Sequence, residues 1–201
     1  MKIICIGRNY AAHAEELNNK VPDEPMIFIK PSTALNTSGA MHIPEFTTNM
    51  HYELELVLRF AKKAAHVDKA NALDYVDALA LGIDFTARDI QQICKKKGHP
   101  WEKAKAFDNS AALSRFVDIK GRDLDDIHFE LHKNGIRVQK GRSADMIFDF
   151  STLISEASRY FTLEQGDLLF SGTPEGVGPV DSGDILECYL ESELLYKVQI
   201  N

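Results

Sequence analysis

The sequence contains few cysteines, an excess of acidic over basic residues, and no long apolar run. Its three cysteines, Cys5, Cys94 and Cys188, are scattered and include no close pair. This argues against a disulfide framework or a zinc site and favours reduced thiols. The apolar run over residues 3–6 is too short for a signal peptide, and no stretch approaches the length of a membrane span. These absences predict a cytoplasmic protein without a membrane partner.

The balance of charge excludes a further class of partner. Lysine and arginine together number 23 and aspartate and glutamate 30, so the formal net charge is -7. Nucleic acids and anionic membranes are bound by basic surfaces. We therefore expect a small molecule or another protein as the partner, and no nucleic acid. The chain has 201 residues, 44% of them hydrophobic, and no internal repeat or linker, which predicts a single domain over residues 1–201 with a substantial core.

The hydrophobic pattern predicts many strands and few helices. Strand-like runs occupy residues 2–6, the segment MIFIKPS, residues 49–60 and 78–83, and four segments after residue 125. Asn134 with Gly135 signals a hairpin between two of the later strands. The simplest architecture is a domain rich in antiparallel strands.

Helices are predicted at four places, over residues 10–17, 68–75, 86–97 and 151–160. Asn9 precedes the first helix and is placed to cap it. Thr86 and Asp89 form a capping-box-like start for the third helix, which Gly98 ends.

One predicted strand, in the segment HYELELVL, carries two carboxylates on one face. Successive side chains of a strand point to opposite faces, so Glu53 and Glu55 lie on the same side. Their spacing is about 7 Å, from a rise of roughly 3.3 Å per residue, and buried like charges need a cation between them. Asp84 ends the apolar run LALGID and would add a third oxygen ligand for magnesium, manganese or calcium. The alternative is that both glutamates line a solvated strand face.

Two further groups of charged residues are candidates for chemistry. His13 and Glu16 lie three positions apart on the first helix, where the carboxylate can orient the imidazole and raise its basicity. An exposed histidine beside an acid on a surface helix is the alternative. Lys105 lies among apolar residues in WEKAKAF, which predicts partial burial. Lys95, in CKKKG, is predicted to belong to a solvated helix end.

The segment SGTPEGVGP places three glycines, Gly172, Gly176 and Gly178, in a tight loop directly after a strand. Glycines let the backbone approach a ligand closely and aim N–H groups at an anion, and Thr173 adds a hydroxyl. The loop is not a phosphate-binding P-loop, because no Gly-Lys-Ser/Thr ends it. A cradle for a carboxylate and a plain turn between strands both fit the pattern.

Six segments taken in order resemble the fumarylacetoacetate hydrolase family, in the short single-domain form that includes acylpyruvases and oxaloacetate decarboxylases. They are GRNYAAHAEEL, IFIKPSTAL, HYELELVL, GIDFTARDIQ, KKKGHPWEKAKAFD and LEQGDLLFSGTPEGVGPV. The resemblance implies an α+β fold, a mixed and mainly antiparallel β-roll with a few short helices, usually in a homodimer. Residues 8–20 would form a lid helix over the substrate. Glu175 is a departure, since we expect lysine there in many relatives.

The resemblance also implies roles for individual residues. The ligands of magnesium, with manganese or calcium as other ions for the same site, would be Glu53, Glu55 and Asp84. The catalytic residues would be His13, Glu16 and Lys105. The residues that contact substrate would be Arg8, Lys30, Arg88, Gln91 and Thr173.

The activity implied is cleavage of a carbon–carbon bond in a 2-oxo or 2,4-dioxo acid through a metal-bound enolate. Acylpyruvate hydrolysis and oxaloacetate decarboxylation are its two forms. A 2-hydroxyhepta-2,4-diene-1,7-dioate isomerase or a related decarboxylase would use the same enol chemistry. Outside enzymes, the chain would be a metal-stabilised module that binds an organic acid. The pair of His13 and Glu16 disfavours this, because a binding module needs no base beside its ligand.

Overall fold

The computed structural model describes residues 1–17 and 19–201. Within these ranges most of the regular backbone is strand, as the alternating and β-branched apolar segments predict. The strands are β1 Ile3–Gly7, β2 Met26–Lys30, β3 Leu35–Asn36, β4 Ala40–Met41, β5 Met50–Tyr52, β6 Leu54–Phe60, β7 Val76–Asp84, β8 Thr86–Ala87, β9 Ala111–Leu113, β10 Val117–Asp118, β11 His128–Lys133, β12 Ile136–Arg142, β13 Leu168–Phe170, β14 Gly178–Pro179, β15 Ile185–Leu190 and β16 Glu193–Ile200. The α-helices are α1 Ala11–Glu16, α2 Arg88–Lys97, α3 Glu102–Lys105 and α4 Phe150–Tyr160.

These strands pair into three sheets. The largest has the order β2-β1-β13-β6-β7-β9-β3, with β10 also paired to β7. A five-stranded sheet has the order β12-β11-β15-β16-β4, and a small one has the order β14-β5-β8. Most neighbours are antiparallel, whereas β1–β13, β3–β9 and β4–β16 are parallel. The fold is mixed, mainly antiparallel α+β with a few short helices, which confirms the predicted fold class.

The large sheet is buried on both faces near the start of β6. The leucines of β6 point into the main core, which also contains Phe129 and Leu131 of the five-stranded sheet. Val57 points the other way, into a second apolar cluster with Cys5 and Phe170. Glu53, directly before β6, and residues 54–57 of β6 are all buried, so this stretch has no solvated face. The interpretation in which Glu53 and Glu55 line a wet strand surface is therefore wrong.

Several predicted elements are present with small shifts in their ends. The helices predicted over residues 86–97 and 151–160 are α2 and α4, and Gly98 ends α2 with a left-handed backbone, φ 65°. Residues Lys69–Tyr75 form a 3-10 helix where a short helix was expected. Asn134 and Gly135 form the hairpin turn between β11 and β12 with positive φ at both residues, which matches the twist of the strands.

Asn9 does not cap α1, so that prediction is wrong. The N-cap residue is Tyr10, which makes no side-chain capping bond. The Asn9 side chain instead donates to the carbonyl oxygens of Phe148 and Ser171, at 3.0 and 2.8 Å, and accepts from the Phe148 N–H at 2.8 Å. Buried asparagine side chains satisfy whichever backbone groups face them, and here these groups are distant in sequence.

The predicted capping box at α2 is also wrong. Thr86 belongs to β8, and the N-cap residue is Ala87, without a side-chain capping bond. The Asp89 carboxylate accepts hydrogen bonds from the Thr47 hydroxyl and the Thr48 N–H. It thereby ties the first turn of α2 to the loop before β5.

The lid segment predicted over residues 8–20 contains α1, and Asn18 of that segment lies outside the described residues. Among the described residues, no helix combines the length and apolarity that crossing a membrane requires.

Candidate metal centre and active site

Three carboxylates converge where β6 and β7 run side by side. The strands are antiparallel with Glu55 opposite Gly82, and the Asp84 N–H donates to the carbonyl oxygen of Glu53 at 2.8 Å. Side chains that face each other across an antiparallel pair lie on the same side of the sheet. Glu53, Glu55 and Asp84 each offer one oxygen, and these oxygens all lie within 4.8 Å of one another. The three residues are at most 5% exposed.

Buried cations accompany two of these carboxylates. Lys105 Nζ donates to Glu53 Oε2 at 2.6 Å and to Asp84 Oδ2 at 2.7 Å. Arg88 Nη2 donates to Glu53 Oε1 at 2.5 Å. Lys105 is 3% exposed, deeper than the partial burial that its sequence neighbours indicated. Buried charges require such partners, because their desolvation is otherwise too costly.

Lys30 contacts Asp84 on the side of the carboxylate that faces away from the cavity described below. Its Nζ lies 2.6 Å from Asp84 Oδ1, but this contact lacks hydrogen-bond geometry, and Asp84 Oδ1 has no hydrogen-bond partner among the described residues. The Lys30 ammonium donates to the carbonyl and hydroxyl oxygens of Ser110, at 2.9 and 3.0 Å. Lys30 therefore balances the charge of Asp84 and does not reach the cavity described below.

The two glutamates respond to this environment in opposite directions. Burial acts to raise the pKa of Glu53, but Lys105 and Arg88 outweigh it and hold this pKa well below its ordinary value of 4.5. Burial and then Asp84 raise the pKa of Glu55 well above 4.5. In the described chain no cationic side chain lies within 4.0 Å of Glu55, whose Oε2 accepts a hydrogen bond from the Gly172 N–H at 2.8 Å.

This donor set fits a hard divalent cation. All three donors are carboxylate oxygens, the ligand type that magnesium, manganese and calcium prefer. Burial first and then Asp84 raise the pKa of Glu55, and Lys105 offsets this only in part. A divalent ion among the three oxygens would compensate the negative charge that remains.

The dyad of His13 and Glu16 lies on α1 and faces this site. His13 is 4% exposed, so the interpretation as an exposed surface histidine is wrong. Its Nδ1 lies 3.2 Å from Glu16 Oε2, and Glu16 Oε1 accepts a hydrogen bond from the Gly176 N–H at 3.0 Å. Burial lowers the pKa of His13 below its ordinary 6.5, although Glu53 and Glu16 act to raise it. The imidazole is therefore mainly neutral at pH 7, the form that accepts a proton.

A cavity of about 30 Å³ lies between the dyad and the carboxylates. His13 and Leu17 line it from the side of α1, and all three carboxylates line it from the side of the sheet. This volume has room for water molecules between the imidazole and the carboxylates.

The structure brings most of the predicted substrate contacts to this cavity. Arg8, Arg88, Gln91 and Thr173 line it, as does Lys105, whereas Lys30 does not. Arg88 Nη1 donates to Gln91 Oε1 at 2.7 Å, so these two residues of α2 act as one unit.

The loop over residues 172–178 is a carboxylate cradle, but its occupants belong to the chain itself. The Gly172 N–H donates to Glu55 and the Gly176 N–H donates to Glu16. Gly176 has a positive φ of 90°, and a Cβ there would lie 2.1 Å from the carbonyl oxygen of Val138. Only glycine allows this close approach. The loop thereby connects a metal-ligand candidate to α1.

Sequence reasoning missed some cavity residues. Trp101 and Phe28 line the cavity as a tilted aromatic pair with ring centroids 6.1 Å apart. Lys95 also lines it, with Nζ 5.5 Å from the Trp101 ring centroid. Although the residue as a whole is exposed, local desolvation and then Arg8 and Arg88 lower the pKa of Lys95 to about 8. The position of Lys95 could have been predicted, because residues 88, 91 and 95 share one face of a helix.

Comparison with known proteins identifies the family. The chain matches the family model described as fumarylacetoacetate (FAA) hydrolase C-terminal over residues 2–198. It is 42% identical over 200 residues to the mitochondrial oxaloacetate tautomerase FAHD1 of Bos taurus, covering 98% of this chain and 90% of the relative. It is 41% identical over 190 residues to the mitochondrial oxaloacetate decarboxylase of Dictyostelium discoideum, covering 93% of this chain and 87% of the relative.

A solved structure supports the same grouping. Fumarylpyruvate hydrolase from Pseudomonas aeruginosa, in complex with Mn2+ and pyruvate, superposes with a TM-score of 0.94 at 33% identity. The superposition covers 100% of this chain and 89% of that chain. The family model, the relatives and the shared fold agree over nearly the whole sequence, and the chain belongs to the fumarylacetoacetate hydrolase family.

Proposed function

We propose that this protein is a divalent-metal-dependent enzyme that cleaves a carbon–carbon bond in a 2-oxo or 2,4-dioxo acid. The observation that carries the proposal is the convergence of Glu53, Glu55 and Asp84 beneath the buried imidazole of His13. The relatives support the substrate class. Two of them are named for oxaloacetate, and the third is named for fumarylpyruvate and was solved with Mn2+ and pyruvate.

Glu53, Glu55 and Asp84 would hold the metal. A bound divalent ion would supply Lewis acidity to the carboxylate and 2-oxo oxygens of the substrate. We propose magnesium as the native ion, because all-oxygen donor sets suit it. Manganese, the ion in the Pseudomonas relative, would replace it, and calcium would compete for the same oxygens.

The chain's own donors would bind the substrate. Arg88 Nε is buried and has no hydrogen-bond partner among the described residues, so a substrate carboxylate would satisfy it. Lys105 uses two of its three N–H groups on Glu53 and Asp84, which leaves one for a developing oxyanion. Thr173 Oγ1 accepts a hydrogen bond from Gln139, so its own hydroxyl proton is free to be donated.

For hydrolysis of a 2,4-dioxo acid, His13 would act as the general base. Glu16 would hold the Nδ1–H of the ring, so that Nε2 takes a proton from water. The water oxygen would bond to the distal carbonyl carbon, C4. The C3–C4 bond would then break with its electron pair going to C3 as a pyruvate enolate, and protonation of C3 would give pyruvate.

Decarboxylation of oxaloacetate would need no attacking water. The bond to the distal carboxylate would break, carbon dioxide would leave, and the electron pair would remain on the same enolate. Tautomerisation of oxaloacetate, for which the Bos taurus relative is named, would need only a proton moved between C3 and the 2-oxo oxygen. Isomerisation of 2-hydroxyhepta-2,4-diene-1,7-dioate is the alternative that uses the same enol chemistry.

A substrate panel tests the proposal. Purified protein with magnesium or manganese is assayed against acetylpyruvate, oxaloacetate and the dienedioate, following pyruvate and isomerised product. We expect turnover that a strong chelator abolishes and added metal restores. Turnover that persists in the chelator would contradict the metal dependence. Binding of an organic acid without any turnover would favour the non-enzymatic alternative.

Three features of organisation remain proposals. We propose that residues 1–201 act as one catalytic domain with α1 as its lid. We propose a homodimer, supported by the apolar surface at Phe46, which is 53% exposed and packs edge-on to Phe107, and light scattering of the purified protein would test it. A cytoplasmic location is supported by three free, buried cysteines, but both curated relatives are mitochondrial, so it stays a prediction.

A further inference from the structure

Gln139 joins three parts of the active site that are far apart in sequence. It lies on β12, is 2% exposed, and uses its side-chain amide entirely within the protein. Its Oε1 accepts from the N–H of Leu54, the residue between the two glutamates, at 2.9 Å. Its Nε2 donates to Thr173 Oγ1 at 2.9 Å and to the carbonyl oxygen of Pro174 at 3.0 Å. Both N–H groups of the amide are thus used. The partners also determine the orientation of the amide, because Oε1 faces a donor and Nε2 faces two acceptors.

These bonds hold the loop over residues 172–178 against the strand that carries the carboxylates. On the N-terminal side of Thr173, the Gly172 N–H donates to Glu55. On the C-terminal side of Pro174, Gly176 lies against the backbone of Val138. Gln139 and Val138 are neighbours on β12. The position of the Gly176 N–H is therefore determined by β12.

The Gly176 N–H also holds the C-terminal end of α1. It donates to Glu16 Oε1, and in the described chain this is the side-chain hydrogen bond that links α1 to the rest of the protein. The other oxygen of Glu16 lies against His13 Nδ1. A helix of six residues is too short to hold its own shape. Its N-terminal end is anchored through Asn9 and through Tyr10, which pairs with Met146, and the contact of Glu16 with Gly176 holds its C-terminal end and orients the His13 imidazole.

We propose that Gln139 is a positioning residue for the water-activating base. It acts through the loop over residues 172–178 and Glu16 on His13, and it does not touch the substrate. The catalytic half of this inference rests on the proposed function. The structural half, in which Gln139 sets the order of α1, stands without it.

The structural half is tested by amide hydrogen exchange. The variant Gln139→Met keeps the length of the side chain and removes its hydrogen bonds. We expect the amides of residues 172–178 and of α1 to exchange on the order of tenfold faster or more, because local opening becomes easier. Unchanged exchange in α1 would overturn the proposal. Gln199→Met is the matched control, since Gln199 bonds the carbonyl oxygens of Asp184 and Ile200, and it should leave both segments unchanged.

Gln139→Glu keeps the test decisive if the methionine variant does not fold. The glutamate preserves the size of the side chain and an acceptor for the Leu54 N–H, but it brings an oxygen to the Pro174 carbonyl in place of a donor. We expect the same faster exchange in the loop and in α1. Native exchange in α1 with this folded variant would also overturn the proposal.

The catalytic half is tested by comparing two reactions of the same protein. Gln139→Met should lower kcat for acylpyruvate hydrolysis by roughly tenfold to a hundredfold, as loss of a supporting hydrogen-bond partner does. Oxaloacetate decarboxylation should fall by a smaller factor, because it depends on Thr173, which Gln139 also holds, but does not use the base. In a Glu16→Ala background the substitution should add little further loss. Equal losses in both reactions, or additive losses with Glu16→Ala, would overturn the assignment. If the wild type catalyses neither reaction the proposed function fails, and hydrogen exchange still decides the role of Gln139.

Discussion

Lys105 Nζ lies 2.6 Å from Glu53 Oε2, inside the group of carboxylates that would hold a metal. Burial acts to lower the pKa of Lys105, but the adjacent carboxylates, Asp84 first, outweigh it and raise this pKa above its ordinary 10.5. The ammonium therefore stays charged and compensates the acidic site in the metal-free protein. Lys105 thus compensates charge in addition to the catalytic role that the family resemblance implied for it.

Replacing Lys105 should make the protein more dependent on metal. Lys105→Met keeps the apolar stem and leaves two buried carboxylates less compensated, which costs about 3–5 kcal/mol when a buried pair is broken. We expect a lower Tm without metal and a larger rise in Tm on adding manganese than in the wild type. Calorimetry with and without the ion measures both. Lys103→Met, at an exposed position on the same helix, is the control, and equal metal-induced shifts in all three proteins would contradict the prediction.

Glu55→Gln should weaken metal binding without harming the fold. The amide oxygen can still accept from the Gly172 N–H, and the lost charge is the one whose ionised form the site disfavours. We expect metal affinity to fall by about a hundredfold or more, since loss of an outer-shell partner alone costs about tenfold to a hundredfold, while the metal-free Tm is kept or raised. Calorimetric titration and thermal unfolding check the two parts. A fall in the metal-free Tm would contradict the inference that the ionised Glu55 carboxylate destabilises the metal-free protein. Glu53→Gln is a less clean test, because it disturbs Lys105 and Arg88.

Metal affinity should increase with pH until Glu55 is ionised. The pKa of this group is raised by burial and by Asp84, so a proton competes with the metal at mildly acidic pH. Ligands must be deprotonated to bind, and binding therefore releases protons. Titrations from acidic to neutral pH, in buffers of different ionisation enthalpy, measure affinity and proton release together. The pH dependence should flatten in Glu55→Gln, and an equally steep profile in that variant would assign the proton to another group.

His13→Ala should separate hydrolysis from decarboxylation. A general base contributes about a hundredfold or more to rate, and only hydrolysis needs a proton removed from water. We expect acylpyruvate hydrolysis to fall by that factor and oxaloacetate decarboxylation to change little. Steady-state kinetics with both substrates and the same metal gives the comparison. Parallel losses would assign His13 to substrate binding.

Glu16→Gln should move the acid limb of the hydrolysis profile to lower pH. The neutral form of His13 is the base, so the rate falls as pH drops through its pKa, which burial holds below 6.5. Glu16 acts to raise this pKa, and the neutral amide would not. The pH dependence of kcat/KM measures the midpoint. A midpoint that moves to higher pH would show that another residue controls the limb.

The elements of the site were predictable where the signal is local. Alternation along the predicted strand over residues 49–60 placed Glu53 and Glu55 on one face, and the apolar run before Asp84 placed it at a strand end. The partners of Asn9 and Lys105 were not predictable, because they come from segments more than twenty positions away that only tertiary packing brings together. Lys95 was partly predictable, because its helical spacing from Arg88 places both residues on one face of α2. Gln139 has no local signal, and only its hydrogen bonds reveal it.

The position of His13 opposite the carboxylates has a consequence for the two proposed reactions. Hydrolysis of a 2,4-dioxo acid would need a water molecule held between the imidazole and the distal carbonyl carbon, whereas oxaloacetate would lose carbon dioxide without one. A bulky side chain introduced beside His13 that displaces this water should therefore slow hydrolysis far more than decarboxylation.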